Sequence, residues 1–541
     1  MSTVTPSNVV LPEVVWGQIA SFLPVEQQIR DHRVCRSWQR VFKNDLCKFA
    51  LMRSITRLPI VRIKTFLDKS PDLMTHLVHK RFNAILNPNS KFTGELLSKV
   101  IRCKYEEDFP SVIAYLRGLS EEQQKMIEVL DFSSDEPSNF TDEEVVEVLT
   151  LCSNLRSLNL TGSNITGECL AVTVLKSQLE KLILVRCYNL DENVLTDFFS
   201  KDVYLKEVNL SQTSITGGCL FEIPQNNQLE RVLLGSCRNL DEDNLVYFFS
   251  STTCLKGVDL CEAAITGRCL CQIPDASRLE ELILDRCGSL EEDILAGFFL
   301  NAPNLKELNL SATNVTRSCL AHLPDTSRLE RLILIGVKDF DDEFFTDFFL
   351  NAPNLKELNL SATNIKGRCL AQLSKSHQLE SLILDCCGSL EEDILADFFS
   401  KAVHFKKFSL RFMKNITGTF LTHIPEENHL ESLDLSYCQN LEEDALTRFF
   451  VNGVCLREIY LPDTLITGVC LTHIPEKNHL ERLGLRHCKN LEEEVLGAFL
   501  ANTHLKYLDL SSTNLTERCL AQIPKEKQPE TLILRGYQRL T

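Results

Sequence analysis

The chain has 541 residues, of which 44% are hydrophobic and 24% charged, a balance typical of a folded protein rather than a disordered one. Its net charge is −17, but residues 1–104 carry 17 Lys and Arg against 7 Asp and Glu, so that segment is basic and the remainder acidic. Nucleic-acid phosphates bind to basic surfaces, so the acidic remainder of the chain argues against nucleic-acid binding.

The first residues, MSTVTPSNVV, lack the basic and apolar regions of a secretory signal, and no apolar run approaches membrane-spanning length. We therefore expect a cytoplasmic or nuclear protein that binds no membrane and keeps its 22 cysteines reduced. Residues 1–10 are expected to be disordered.

Residues 11–47 are predicted to form a small all-α domain of three short helices. Pro12 suits the first turn of a helix, an apolar stripe includes Ile19 and Leu23, and Pro24 ends that helix. So short a segment rarely sustains a core of its own. Its large apolar residues therefore indicate a surface that a partner completes.

This segment resembles an F-box, because Leu11-Pro12, Ile19, Phe22-Leu23-Pro24 and Val34-Cys35-Arg36-x-Trp38 occur in the order and spacing of that family. Gln27 and Gln28 stand where many members carry leucine. The resemblance implies docking on the Skp-type adaptor of an SCF ubiquitin ligase, and through it on a cullin-RING ligase. The residues implied at that contact are Leu11, Pro12, Ile19, Leu23, Val34, Cys35 and Trp38. The alternative is a helical cap that shields the first repeat.

Residues 48–125 are predicted to be a helical linker or cap, since VRIKTFLDKSPDLMTHLVHKRFNAIL has apolar residues at helical spacing. The segment is basic, but it contains no recognised nucleic-acid motif and little aromatic interleaving. We interpret it as a linker that holds the following repeats at a defined distance from the F-box-like domain.

Residues 126–541 consist of a repeat of about 50 residues; NAPNLKELNLSATN, for example, occurs at 301–314 and again at 351–364. Each repeat divides into an A half and a B half, and both begin with L-x-x-L-x-L, an alternation that predicts a short strand with one buried face. The B half continues with acidic residues and then Leu and Phe-Phe at helical spacing, which predicts a helix. The A half ends at Ile-Pro.

These repeats resemble the cysteine-containing subtype of leucine-rich repeats. The resemblance implies an α/β solenoid, a horseshoe with parallel strands on its concave face. The recurring cysteines give way to Phe420 in one A half and to Val337 in one B half. A packing position tolerates such replacements and a metal ligand does not. We therefore expect no metal and no cofactor.

The sequence indicates a binding protein rather than an enzyme, since it contains no nucleotide-binding, metalloprotease or nucleophile-elbow motif. The F-box resemblance implies the substrate-recognition subunit of an SCF-type E3 ubiquitin ligase, whose repeats bind an unidentified target protein. Two alternatives remain. One is a non-catalytic, inhibitor-like scaffold, and the other is a bacterial effector that mimics a host F-box protein in the host cytoplasm.

The target is expected on the strand residues that point away from the core. The position between the second and third leucine is Ile or Leu in the early B halves, and from about residue 404 the copies diverge and gain Tyr and Arg, residues enriched in binding hot spots. The alternative is drift of the later copies. The predicted target-binding residues are Ile183, Leu233, Ile283, Ile333, Ile383, Arg411, Tyr437, Tyr460, Arg486 and His487.

Overall fold

The computed structural model of the chain describes residues 100–102, 109–134, 140–174, 178–201, 204–323, 328–373, 378–401, 404–453 and 455–536. The F-box-like segment 11–47 and its predicted adaptor-binding residues lie outside the described part. The chain divides into two compact units, Met1–Val194 and Leu195–Thr541.

The described part of the N-terminal unit alternates parallel strands with helices. Its strands pair in chain order, β1 with β2, β2 with β3 and β3 with β4. The strands are β1 (Val100–Arg102), β2 (Val129–Asp131), β3 (Ser157–Asn159) and β4 (Lys181–Ile183). The helices are α1 (Phe109–Arg117), α2 (Glu121–Gln124), α3 (Asp142–Leu151) and α4 (Ala171–Val174), with a 3-10 turn at Glu168–Leu170.

Strand β1 lies inside the segment that the sequence predicted to be a helical linker. Ile101 pairs with Leu130 of β2, so parallel pairing begins before residue 126. The repeat pattern did not show this strand, because Ser98 and Cys103 stand where later copies have the first and third leucine. Helices α1 and α2 also lie within the predicted linker, most of which lies outside the described residues.

The C-terminal unit continues the alternation through strands β5 to β18, each paired in parallel with the next. The middle residue of each strand pairs with the middle residue of the next, as Val208 does with Val232. The strands are β5 (Glu207–Asn209), β6 (Arg231–Leu233), β7 (Gly257–Asp259), β8 (Glu281–Ile283), β9 (Glu307–Asn309), β10 (Arg331–Ile333), β11 (Glu357–Asn359), β12 (Ser381–Ile383), β13 (Lys407–Ser409), β14 (Ser432–Asp434), β15 (Glu458–Tyr460), β16 (Arg482–Gly484), β17 (Tyr507–Asp509) and β18 (Thr531–Ile533).

Helices follow the strands in the order that the sequence predicted. The B halves form the longer helices α5 (Glu192–Phe199), α6 (Glu242–Ser250), α7 (Glu292–Phe299), α9 (Asp342–Leu350), α11 (Glu392–Phe399), α12 (Glu443–Phe450) and α13 (Glu493–Asn502). The A halves form the short helices α8 (Arg317–Leu320), α10 (Leu370–Leu373) and α14 (Glu517–Ala521), or 3-10 turns at Gly218–Leu220, Leu270–Gln272, Thr419–His423 and Val469–His473. Further 3-10 turns lie at Ala276–Arg278 and Lys525–Lys527. This regular order confirms the predicted α/β repeat fold.

The core is built from the same positions in every copy. From β3 to β17, the middle residue of each strand and the leucine that follows the strand are buried, as Leu308 and Leu310 are. The Phe-Phe pair at the end of a B-half helix packs onto them, and Phe248 and Phe249 are both completely buried. The unusual abundance of phenylalanine therefore reflects one packing role repeated along the chain.

The recurrent thiols of the B halves hold neighbouring copies together. In one example, the Leu461 carbonyl accepts a hydrogen bond from the Thr464 hydroxyl at 2.8 Å and another from the Cys488 thiol of the next copy at 3.1 Å. Burial raises the pKa of the Cys488 thiol, which keeps it protonated. These cysteines fill the place of a small polar packing residue that satisfies a buried carbonyl.

Candidate protein-binding surface

Each strand presents two side chains away from the core. In most strands the first and third residues are half-buried or exposed while the middle one is buried, as in β14 with Ser432, Leu433 and Asp434. We call the surface formed by these first and third residues the strand face. The residue before each strand lies at its amino edge, and the residues after the third leucine lie at its carboxyl edge.

The amino edge of the strand face is a ladder of opposite charges. The residue before the strand is basic in the A halves and Glu in the B halves, and Nζ of Lys256 lies 3.0 Å from Glu230. Equivalent pairs join Lys306 to Glu280, Lys356 to Glu330, Lys406 to Glu380, Arg457 to Glu431 and Lys506 to Glu481. Exposed pairs of this kind contribute little stability. These pairs do, however, neutralise the charges of the amino edge within the protein itself.

The predicted apolar residues of the strand face lie where the sequence placed them but do not adjoin each other. Ile333 is half-buried at the end of β10, and its partners in the ladder are Asn309 and Asn359. Leu233, Ile283 and Ile383 alternate with polar residues in the same way, and Ile183 belongs to the N-terminal unit. The face is therefore striped, as the alternation of A and B halves in the sequence predicts.

At the carboxyl edge, the second residue after the third leucine adopts a left-handed backbone in copy after copy. Earlier copies place a range of non-aromatic residues there, from Ala312 with φ of 51° to Arg286 with φ of 59°, whereas three later copies place the aromatic residues Phe412, Tyr437 and His487 there with φ between 60° and 64°. Bulky residues rarely adopt this conformation. Their N–H groups donate to the next copy, as Tyr437 does to the Pro462 carbonyl at 2.7 Å, which compensates for the strain.

The left-handed backbone at the carboxyl edge brings two aromatic rings together. The rings of Phe412 and Tyr437 are parallel within 7°, with their centroids 4.2 Å apart, although Phe412 is 46% exposed. The guanidinium carbon of Arg411 lies 5.4 Å from the Phe412 centroid, and its Nε lies 3.8 Å from the Asp434 carboxylate. Burial raises the pKa of Asp434, while hydrogen bonds from Ser436 and the charge of Arg411 oppose that rise.

A second aromatic and basic cluster lies on strands β15 to β17. Arg482 donates to the Tyr460 hydroxyl at 2.9 Å, and its guanidinium carbon lies 4.7 Å from the centroid of the Tyr507 ring. Gly484 leaves room for the Tyr460 ring, since a Cβ at residue 484 would lie 2.8 Å from Cδ1 of that ring. A side chain at this position would therefore displace Tyr460.

The structure thus separates the predicted late residues into three places. Arg411 and Tyr437 belong to the carboxyl-edge cluster, Tyr460 belongs to the cluster with Arg482, and Arg486 and His487 lie at the carboxyl edge of β16. Phe412 was absent from the predicted residues. The sequence signal that could have identified Phe412 is its repeat position, which is the same as that of Tyr437 and His487.

A half-buried carboxylate joins neighbouring copies behind the strand face. Glu443, at the start of α12, accepts hydrogen bonds from the Thr467 N–H at 2.9 Å, the Thr467 hydroxyl at 2.8 Å, and the N–H groups of Gly468 and Cys470 at 2.9 and 3.1 Å. Burial alone would raise the pKa of Glu443, but these hydrogen bonds hold that pKa below its usual value. The sequence pattern places acidic residues at the start of the B-half helix, where the helix dipole favours them, but does not show these contacts.

This arrangement predicts a loss of stability in acid. Because the pKa of Glu443 is lower in the folded state, its contribution is fully present above the unfolded value, about 4.3, and is lost as the pH falls through the folded value. We expect Glu443→Gln to lower the unfolding free energy at neutral pH by about 1–2 kcal/mol and to weaken its decline in acid. Urea unfolding at several pH values measures both effects. Glu442→Gln, at the exposed neighbour, is the control, and equal effects of the two variants would contradict the assignment.

Within the described ranges, no group of three or more His, Cys, Asp or Glu residues is arranged to hold a metal ion. No helix in the part of the chain that the structure describes is long and apolar enough to cross a bilayer.

Two stretches, residues 151–170 and 501–517, match the family model described as a leucine-rich repeat. No curated protein matches the chain. The crystal structure of the Rad7 and Elc1 complex in yeast is similar with a TM-score of 0.46 and 15% identity, over 71% of this chain and 94% of that chain. The structure of the TLR13–ssRNA13 complex is similar with a TM-score of 0.40 and 14% identity, over 75% of this chain and 71% of that chain. The chain therefore contains leucine-rich repeats. The two similar structures are too distant in sequence to indicate its partners.

Proposed function

We propose that this protein is a non-catalytic adaptor whose strand face binds a target protein and whose N-terminal segment docks on the Skp-type adaptor of an SCF ubiquitin ligase. The repeats are the target-binding part. The segment 11–47 links the bound target to the ligase.

The observation that carries the target-binding role is the contrast between the two sides of each strand. The side that faces the core repeats mainly leucine throughout, whereas from β13 onward Tyr460 and Tyr507 appear on the strand face and Arg411, Phe412 and Tyr437 at its carboxyl edge. Stability accounts for the repeated core. Exposed aromatic and arginine side chains on a rigid scaffold are typical of protein-binding sites.

The ligase role is supported by the sequence resemblance of residues 11–47 to an F-box. The same residues distinguish the proposal from a plain inhibitor-like scaffold, which has no need of an adaptor-binding segment. A protein that binds the adaptor and a target at the same time fits the ligase role, whereas one that binds only a target fits the scaffold.

Replacing Tyr437, Tyr460 and Arg486 together with alanine tests the target-binding part. We expect the triple variant to lose the target protein captured by the wild-type chain while still co-purifying with the Skp-type adaptor, because hot-spot residues contribute about 2 kcal/mol each. Affinity purification followed by mass spectrometry measures both. The matched control is Asn209→Ala with Asn309→Ala on early strands, and loss of the target in that control instead would move the site to the early copies.

A further inference from the structure

We propose that the carboxyl edge of strands β13 to β16 binds an extended, acidic segment of the partner protein. Two carboxylates of that segment contact Arg411 and Arg486, and an apolar side chain between them packs on Phe412 and Tyr437. This inference rests on the proposed function and specifies the chemistry of the target.

The two edges of the strand face differ in how their charges are satisfied. At the amino edge, the basic residues described above already contact glutamates of the preceding copy. At the carboxyl edge, Arg486 is exposed, and the structure records no ion pair for it within the described ranges. Arg411 reaches Asp434 only at 3.8 Å, and its side chain remains 40% exposed. The carboxyl edge therefore has one arginine, Arg486, with no recorded ion pair, and a second, Arg411, whose side chain stays partly exposed beside Asp434.

Charge complementarity identifies the partner as acidic. The four residues after the third leucine in these copies are 411–414, 436–439, 462–465 and 486–489, which together carry Arg411, Lys414, Arg486 and Lys489 against Asp463, a net charge of +3. The equivalent residues of the eight preceding copies, from 211–214 to 385–388, have a net charge of zero. The chain as a whole is at −17, so this edge is a local basic site on an acidic protein.

The same edge supplies an apolar surface between the two arginines. Phe412 and Leu465 are 46% and 56% exposed, and Tyr437 is half-buried beside Phe412. Arginine binds carboxylates through two parallel hydrogen bonds, and aromatic rings bind apolar side chains, so the edge provides both kinds of contact.

The spacing of the strands sets the spacing of the carboxylates. Arg411 follows β13 and Arg486 follows β16, three steps along the parallel ladder. At about 4.8 Å for each step, the two positions lie about 14 Å apart. An extended chain advances about 3.4 Å per residue, so carboxylates four residues apart span that distance.

Selection of a random library of 12-residue peptides on the full-length chain tests the inference. The expected result is enrichment of peptides with two Asp or Glu residues four positions apart and an apolar residue between them. Enrichment of basic or neutral peptides, or of no peptides at all, would overturn the proposal.

The affinities of an enriched peptide for defined variants test the site. Arg411→Gln, Arg486→Gln and Phe412→Ala are each expected to weaken binding about fivefold or more, as loss of a charge-assisted or aromatic contact does. Arg286→Gln removes a basic residue at the carboxyl edge of an earlier copy and is expected to leave the affinity unchanged. Thermal unfolding establishes that every variant is folded.

Two outcomes separate this inference from the proposed function. If the Arg411→Gln and Arg486→Gln variants still capture the target as well as the wild type does, the acidic-segment proposal is wrong while the adaptor function stands. If single-stranded RNA binds more tightly than the peptide and its binding depends on the same residues, the inferred class of partner, an acidic protein segment, is wrong.

Discussion

Replacing Leu11 and Trp38 together with alanine is expected to abolish binding of the Skp-type adaptor. The F-box resemblance assigns both residues to the contact, and large buried anchors of this kind contribute about 2 kcal/mol or more each. The double variant is therefore expected to bind about a thousandfold more weakly. Calorimetry with the purified adaptor measures this change.

The repeats are expected to remain folded in that variant, because the leucine and phenylalanine core of the strand-and-helix copies is formed by other residues. The control is Leu300→Ala with Leu350→Ala, which removes two large apolar side chains that are 58% and 64% exposed in the C-terminal unit. Adaptor binding should not change in the control. Unchanged affinity in the Leu11 and Trp38 variant would show that the segment is a cap rather than an F-box.

Phe399→Ala is expected to destabilise the C-terminal unit by about 3–5 kcal/mol, because it leaves a cavity where rings from two successive half-repeats meet. Phe399 is 1% exposed, and its ring centroid lies 5.0 Å from that of Phe398, 4.7 Å from Phe408 and 5.5 Å from Phe420. Urea or thermal unfolding followed by circular dichroism measures the loss.

In a repeat protein the stability is a sum of terms between neighbouring copies, so the loss should appear first in amides of β12 to β14 when hydrogen exchange is followed. Phe412→Ala is the matched control, since its ring is 46% exposed and the expected loss is under about 1 kcal/mol. A comparable loss in both variants would show that the two rings contribute equally to stability and would contradict the core assignment of Phe399.

The sequence by itself determined the repeat fold of the described region. In each copy the leucines of L-x-x-L-x-L alternate with exposed residues, and the B half places Leu and Phe at helical spacing. Both patterns are local, and every copy meets a neighbour with the same pattern, so one copy predicts the packing of the next. The strands, the B-half helices and the buried Phe pairs lie where this pattern placed them. Docking of residues 11–47 on an adaptor stays a prediction from the sequence.

Only the tertiary structure decided which side chains of different copies meet. Phe412 contacts Tyr437, and Glu443 binds the N–H groups of Thr467, Gly468 and Cys470, across about one half-repeat of chain. The Phe412 contact depends on the left-handed backbone at the carboxyl edge, and both contacts depend on side-chain directions, which a one-dimensional pattern does not encode.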